Sequence, residues 1–316
     1  MMSLKMSNNN IFLIGTRGSR LALTQAEMIR KKISEVLKLE TCVLKTIQTQ
    51  GDKATHETTL VENKVLLPGI FTRELDSALL AGKIDAAVHS LKDVPTELPI
   101  NIQYGFFDLR EDHHDVLISK NNLSLLNLPR CAKIGTSSPR RKAQLLSLRK
   151  DFQVFHLRGN IDTRLRQLQS ENELDGIVVA AAGMKRLNYQ HLITEYLDDE
   201  LFIPSPAQGT LCVLLKSENS DMKLQFKSLN HMETELCSLA ERSFLSSLGG
   251  GCRAPIGALA KIKDNTICLN GMLLSLDGAR TIHETIARPI TEANQIGSIL
   301  ASQFFEKGAQ DLLNYE

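Results

Sequence analysis

The sequence predicts an α/β protein with mainly parallel sheets, closed by a smaller α+β unit with an antiparallel sheet. Three observations predict it. Short apolar runs alternate with helix-period stripes over the first two-thirds of the 316 residues, and that rhythm occurs in two successive blocks. Beyond about residue 232 the pattern changes to strand-like runs separated by Asp264-Asn265 and Asp277-Gly278, which are hairpin turn signals.

The elements run in order along the chain. Ile11–Thr16 reads as a strand, and a helix starts near Leu21 with Leu23, Ala26, Ile29, Ile33 and Leu37 on one face. Residues 43–49 read as a strand. Phe71, Leu75, Ala78 and Leu79 form a helix stripe that Gly82 stops, and residues 84–88 return to strand. The second block has strands at 116–119, 133–135, 154–157 and 177–181, with helices from Pro139 to about Leu148 and over 162–169. The two prolines of Ile203-Pro-Ser-Pro-Ala-Gln-Gly209 suit a hinge or crossing better than an element interior. The last module has a helix carrying Leu236, Leu239, Ala240 and Leu248, strands over 256–262, 266–274 and 281–287, and a closing helix over about 292–305.

Composition narrows the class. The chain is 42% hydrophobic and 23% charged, so a core is available and disorder is not expected. Net charge is +1, which argues against coating nucleic acid or membrane with the whole surface. There is no Trp and only 5% aromatic residues, which weakens any base-stacking reading. No apolar stretch approaches the roughly 18 residues of a membrane span, and the start lacks the features of a signal or transit segment. The six cysteines include no C-x-x-C pair, so a disulfide scaffold is not expected and the expected setting is the cytoplasm.

The neutral total hides a local excess. From Arg130 to Arg166 there are ten basic residues against Asp151 and Asp162, a window of +8 that leaves −7 on the rest. In Gly135-Thr-Ser-Ser-Pro-Arg-Arg141, Ser138 suits an N-cap and Pro139 a first helical position. That junction offers free N–H groups, hydroxyls and two guanidinium groups to an anion. Leu157-Arg-Gly-Asn-Ile-Asp-Thr-Arg164 and Thr16-Arg-Gly-Ser19 repeat the arrangement. Arg17, Arg140, Arg141, Arg158 and Arg164 are therefore read as converging at strand carboxyl ends on a polyanion, whereas Arg149, Lys150 and Arg166 are read as surface charges. Arginine suits carboxylate through bidentate geometry. Charge alone leaves phosphate and carboxylate both open.

Two further motifs stand out. Val88-His-Ser-Leu-Lys-Asp-Val-Pro95 places Asp93 and Lys92 at a strand end, as a site acid or as a structural ion pair. Leu248-Gly-Gly-Gly-Cys-Arg-Ala-Pro-Ile-Gly257 frames Cys252 with glycines that permit close approach and with Arg253, which favours thiolate. His113-His114 with Asp115 has no third metal ligand at useful sequence spacing, so a polar loop and no metal are expected.

Together these motifs, with Ala182-Gly-Met-Lys-Arg-Leu187 and Pro206-Ala-Gln-Gly209, closely resemble the porphobilinogen deaminase (hydroxymethylbilane synthase) family over about residues 11–310. The resemblance implies two lobes of type II periplasmic-binding-protein kind with a cleft between them, and a C-terminal α+β domain. Residues 1–108 with 208–228 would form domain 1, 109–207 domain 2 and 229–316 domain 3. It further implies a transferase that condenses four porphobilinogen molecules into a linear tetrapyrrole, releasing ammonia, in haem and related biosynthesis. The cofactor would be a dipyrromethane on Cys252 through a thioether. Asp93 would be the catalytic carboxylate. Lys92, Thr136, Ser138, Arg140 and Arg141 would hold the cofactor with Asp93, and Arg17, Ser19, Lys64, Arg158, Arg164, Arg186 and Gln208 the substrate and growing chain. A monomer with no nucleic-acid or membrane partner is expected.

The family often has a Gly-Gly-Lys-Gly-Leu-Phe loop. Here the stretch is Val65-Leu-Leu-Pro-Gly-Ile-Phe71, with Pro68 in the lysine position and Lys64 just upstream. The competing reading is a non-catalytic two-lobed anion-binding protein, which explains the arginines but gives Cys252 no task.

Overall fold

The computed structural model describes residues 11–39, 41–49, 72–170, 174–249 and 254–313. The chain forms two compact units, Met1–Arg110 with Thr210–Glu235, and Glu111–Gly209 with Leu236–Glu316.

In the first unit, β1 (Ile11–Thr16) feeds α1 (Arg20–Leu37), and β2 (Thr41–Thr46) is followed by α2 (Arg73–Leu80) and β3 (Ala86–Ser90). With β4 (Ile102–Phe107) and β10 (Leu211–Lys216) they make a sheet of order β2-β1-β3-β10-β4. β1 pairs in parallel with β2 and β3, while β10 runs antiparallel to β3 and β4. Ser19 caps α1 by accepting the Ala22 N–H, and Gln25, Ala26, Ile29 and Ile33 are its buried stripe. Leu23, expected on that face, is 36% exposed at its margin. The stripe packs on Phe12, Ile14, Ala86, Val88 and Phe106, and Phe226 of α6 (Ser220–Phe226) stands edge-on to Phe12 and Phe106.

Neither β4 nor β10 was expected from the sequence. β10 is buried from Leu211 to Leu215 as a continuous apolar run, so it lacks the alternation that marks a half-exposed strand.

The second unit repeats the sheet order. β5 (Asp115–Ser119), β6 (Lys133–Gly135), β7 (Gln153–Phe155), β8 (Gly176–Ala180) and β9 (Glu195–Tyr196) lie as β7-β6-β8-β5-β9. β6 is parallel to β7 and β8, and β5 is antiparallel to β8 and β9. Each sheet thus has a single reversed strand beside its last position, the mixed, mostly parallel construction expected of the two lobes. Helices α3 (Pro139–Leu148), α4 (Ile161–Gln169) and α5 (Ala181–Arg186) come after β6, β7 and β8. The expected boundaries of α3 agree with those observed, because Ser138 and Pro139 mark its start.

The same unit holds the antiparallel sheet β11 (Ile256–Lys263), β12 (Thr266–Leu274) and β13 (Thr281–Pro289), covered by α7 (Met232–Leu248) and α8 (Ala293–Glu306). Phe244 and Phe304 meet edge-on at 4.9 Å in its core. Gly271 lies beneath them, where a Cβ would come within 2.8 Å of both Phe244 and Leu300. A small cluster of Ala143, Ile203, Leu259, Met272 and Leu274 ties this sheet to α3.

Truncating Phe226 to Ala removes a ring shared by two edge-on contacts in the first unit. It is expected to cost about 3–5 kcal/mol, whereas Phe305→Ala, at a 39% exposed position, is expected to cost under about 1 kcal/mol. Denaturation midpoints of the two variants check the difference.

Candidate functional site

The most heavily charged buried group lies in the second unit. Asp115 opens β5 with no exposed surface, and Arg140 and Arg141, in the first turn of α3, are 4% and 6% exposed. Arg140 donates to Asp115 Oδ2 at 2.7 Å, and Arg141 donates to Oδ1 through Nε at 2.9 Å and its terminal nitrogen at 2.6 Å. Gln208, fully buried, donates to the same Oδ1 at 2.9 Å. Arg140 also donates to the Ile203 carbonyl and Gln144, and Arg141 to the Val178 carbonyl. Burial pushes the Asp115 carboxyl up. The charges of Arg140 and Arg141, with hydrogen bonds from Arg140 and Gln208, override it and hold it far below the usual carboxylate range.

One carboxylate faces two guanidinium groups, so the cluster keeps a surplus positive charge. A third arginine adds to it. Arg164 on α4 donates to the Gly159 carbonyl and Ser137 Oγ, and no ion pair to it forms among the described residues. Burial, then repulsion from Arg141, lowers its pKa to about 10. A charge held this way is costly, and a ligand carboxylate would offset the cost. Nearby chain elements carry the other expected groups. Thr136 is buried and its Oγ1 accepts the Ser138 N–H, Ser138 caps α3, Arg158 is exposed, and Arg186 on α5 donates to the Gly209 carbonyl at 2.7 Å.

In the first unit, β3 ends in a single 3₁₀ turn, Leu91–Asp93. Leu91 and Val94 are buried anchors, the Leu91 N–H donates to the Thr210 carbonyl, and the Val94 N–H closes the turn on Leu91. Between those anchors Lys92 is half-buried and Asp93 exposed. At the end of β1, Arg17 is half-buried and Ser19 spends its hydroxyl on the α1 cap. His89 on β3 is buried. Its pKa falls to about 4, through burial first and then the nearby Arg17 charge, so it is neutral at neutral pH. Arg17, Lys92 and Asp93 thus stand just beyond the ends of β1 and β3.

Comparison with known proteins decides the family. A model described as porphobilinogen deaminase, dipyromethane cofactor binding domain, matches residues 12–224, and one for the porphobilinogen deaminase C-terminal domain matches 235–306. The chain belongs to the porphobilinogen deaminase family. It is 43% identical over 300 residues to a porphobilinogen deaminase of Desulfitobacterium hafniense, covering 95% of this chain and 96% of that protein. It is 42% identical over 304 residues to one from Lawsonia intracellularis, with 95% and 96% covered. A third, from Carboxydothermus hydrogenoformans, is 41% identical over 301 residues, also with 95% and 96% covered.

Within this family frame, the structure brings together part of the expected set. Arg140, Arg141 and Gln208 meet on Asp115, and Arg164 lies within the field of Arg141. Both Arg140 and Arg141 aim donors inward at a protein carboxylate, and the buried Arg140 Nε has no partner among the described residues. Sequence reasoning grouped Asp115 with the histidine loop and missed its buried place between the two arginines. Its signal was an acid opening the otherwise apolar run Val116-Leu-Ile118, where a charge needs a buried partner.

The histidine loop needs a correction. No third ligand was expected near His113 and His114, yet Asp112 brings a ligand atom within 4.8 Å of both. The fold also brings Asp199, far away in sequence, to His113 at 2.7 Å. The carboxylates are shared with Lys185 and Lys261, which gives a charge-paired polar network. Cys252, Lys64 and the 65–71 stretch lie outside the described residues. No described helix is long and apolar enough to cross a membrane.

Asp115→Asn leaves two buried guanidinium groups without their countercharge and is expected to cost about 3–5 kcal/mol in a denaturation series. Since the native carboxyl titrates below its unfolded value, the Asp115 contribution is present above about pH 4 and is lost as pH falls further. His89 acts with the same sign in a higher window. Between its ordinary 6.5 and the native value of about 4, only the unfolded chain binds the proton, so stability falls as pH drops. Asp76, raised to about 6 by burial, opposes it. The drop in melting temperature from pH 7 to pH 5 is therefore expected to shrink in His89→Gln.

Proposed function

We propose that this chain is a hydroxymethylbilane synthase. It joins four porphobilinogen molecules stepwise onto a dipyrromethane held through Cys252, then releases the linear tetrapyrrole hydrolytically. The observation that carries the reading is the surplus of arginine over carboxylate at the strand ends of the second unit, within a chain of this family. Each porphobilinogen brings an acetate and a propionate, so a growing chain accumulates the charge that such a surplus attracts.

The residues present fit the cofactor on their own chemistry. Two buried arginines share one aspartate, and an orphaned Arg140 Nε leaves donor capacity beside them. Lys92, Thr136, Ser138, Arg140 and Arg141 would hold its carboxylates, and when bound it supplies the free pyrrole carbon to which the first substrate is joined. Arg17, Ser19, Lys64, Arg158, Arg164, Arg186 and Gln208 would orient the substrate and the lengthening product. Several of these groups reach a carboxylate only by sharing donors with Asp115 or with backbone carbonyls.

The proposal assigns the chemistry to Asp93, the exposed acid of the turn that follows β3. In the substrate, the bond from the aminomethyl carbon to nitrogen breaks, and its electron pair leaves with ammonia. The ring is left as an azafulvenium cation. As the new carbon–carbon bond forms, positive charge passes to the second ring, which then loses a proton. The Asp93 carboxylate stabilises each cation at a ring N–H and assists the proton transfer. The turn anchored by Leu91 and Val94 fixes the backbone that carries that carboxylate. A non-catalytic anion-binding protein is not favoured, because it leaves Asp93 and Cys252 without a task. We also propose that the protein works as a cytoplasmic monomer.

Intact mass and Ehrlich staining test the cofactor. Wild type supplied with porphobilinogen is expected to carry two pyrrole units that Cys252→Ser lacks, and an unmodified wild type contradicts the assignment. Asp93→Asn, at an exposed position, is expected to melt within about 1 kcal/mol of wild type and to lose tetrapyrrole formation. Near-normal turnover removes Asp93 from the mechanism.

A further inference from the structure

We infer that Glu241 is a positioning residue: it clamps Ala207 in a left-handed backbone conformation, and that turn delivers Gln208 to Asp115 and Arg141. The inference rests on the function proposed above for its effect on turnover, but the clamp itself rests on geometry alone.

Ala207 has φ of 62° and no exposed surface. Of the other described non-glycine residues with positive φ, most are Asn or Asp, whose side chains bond locally and ease that conformation. Alanine has no such means, so the strain at Ala207 must be held by its surroundings. The hold is visible. The Ala207 N–H donates to Glu241 Oε2 at 2.6 Å, and the Ala260 N–H of β11 donates to Oε1 at 2.8 Å. Glu241 is fully buried on α7, and a carboxylate offers an acceptor to each of two N–H groups, which an amide does not.

The clamp acts through the next two residues. The Gln208 N–H closes the turn on the Ser205 carbonyl. The Gln208 side chain donates to the His113 carbonyl and to Asp115 Oδ1, both at 2.9 Å, and accepts from Arg141 at 3.4 Å. One residue further, the Gly209 carbonyl accepts from Arg186. Gly209 has φ of 91°, and a Cβ there would meet the Glu111 carbonyl oxygen at 2.3 Å, so the close approach of this turn to residue 111 admits only glycine. A displaced Ala207 would therefore move Gln208 off the buried ion pair and disturb the seat of Arg186. Among the hydrogen bonds of the described residues, Glu241 reaches Ala207 and Ala260, so its effect on Arg141 and Arg186 runs through the backbone.

The test is a double-mutant cycle on the full-length protein with Glu241→Gln, Ala207→Gly and the pair. Glu241→Gln is expected to lower kcat/KM about tenfold, and Ala207→Gly in that background to recover about fivefold, because glycine adopts the left-handed region without a holder. The same rescue is expected in melting temperature. A Glu241→Gln enzyme within about twofold of wild type overturns the inference, as does a loss that Ala207→Gly leaves unchanged. A merely structural role for Glu241 predicts that second outcome. Should Glu241→Gln fail to fold, amide exchange in wild type decides: the Ala207 amide is expected to exchange slowly, and exchange at the rate of an open amide overturns the clamp. Wild type inactive on porphobilinogen contradicts the proposed function instead, and the thermal rescue and amide exchange still judge the clamp.

Discussion

The second unit depends on the burial of one aspartate between two consecutive arginines. Taking three charged groups out of water is tolerable only if each finds a partner, and Asp115 is the single acid that Arg140 and Arg141 share. That shortage has several consequences. Backbone carbonyls of Ile203 and Val178 and the side chains of Gln144 and Gln208 take up further donors, while Arg140 Nε keeps no partner among the described residues. The surplus charge persists and extends to Arg164, whose own partners are a carbonyl and a hydroxyl. That surplus is what supports the polycarboxylate site proposed above.

The two five-stranded sheets show how one topology supports different duties. Both have a reversed strand beside the last position, and both place their charged motifs where parallel strands end. In the first, the strand end is short and anchored, and it exposes an acid, Asp93, between buried Leu91 and Val94. In the second, the strand ends open into capped helices, and the arginines of the first turn fold back into the protein. An exposed carboxylate suits transient cations. A half-neutralised arginine cluster suits durable anion holding.

Much of this was legible in the sequence, for definite reasons. Ser138 and Pro139 marked the start of α3, and the apolar stripe of Ala26, Ile29 and Ile33 marked α1, because caps and periodicity are local signals. β10 was missed because a strand buried on both faces has no alternation to read. The arginines were legible as a charge excess, but their direction was not. Asp115 lies 25 residues from Arg140, and the pairing of both β5 and β6 with β8 brings the two together. The same holds for Asp199 beside His113 and for Glu241 behind Ala207, which lie 86 and 34 residues apart. Long-range polar pairing leaves no period in the chain, so it appears only in the fold.

The central claim is that an anion-holding arginine cluster and a strand-end carboxylate serve the deaminating condensation of porphobilinogen. The most direct measurement is the stoichiometry of products when purified protein is supplied with porphobilinogen alone. The account predicts ammonia and a linear tetrapyrrole in a ratio of about four to one, since each condensation breaks one carbon–nitrogen bond. Binding of porphobilinogen with release of neither product would contradict it and leave only a holder of anions.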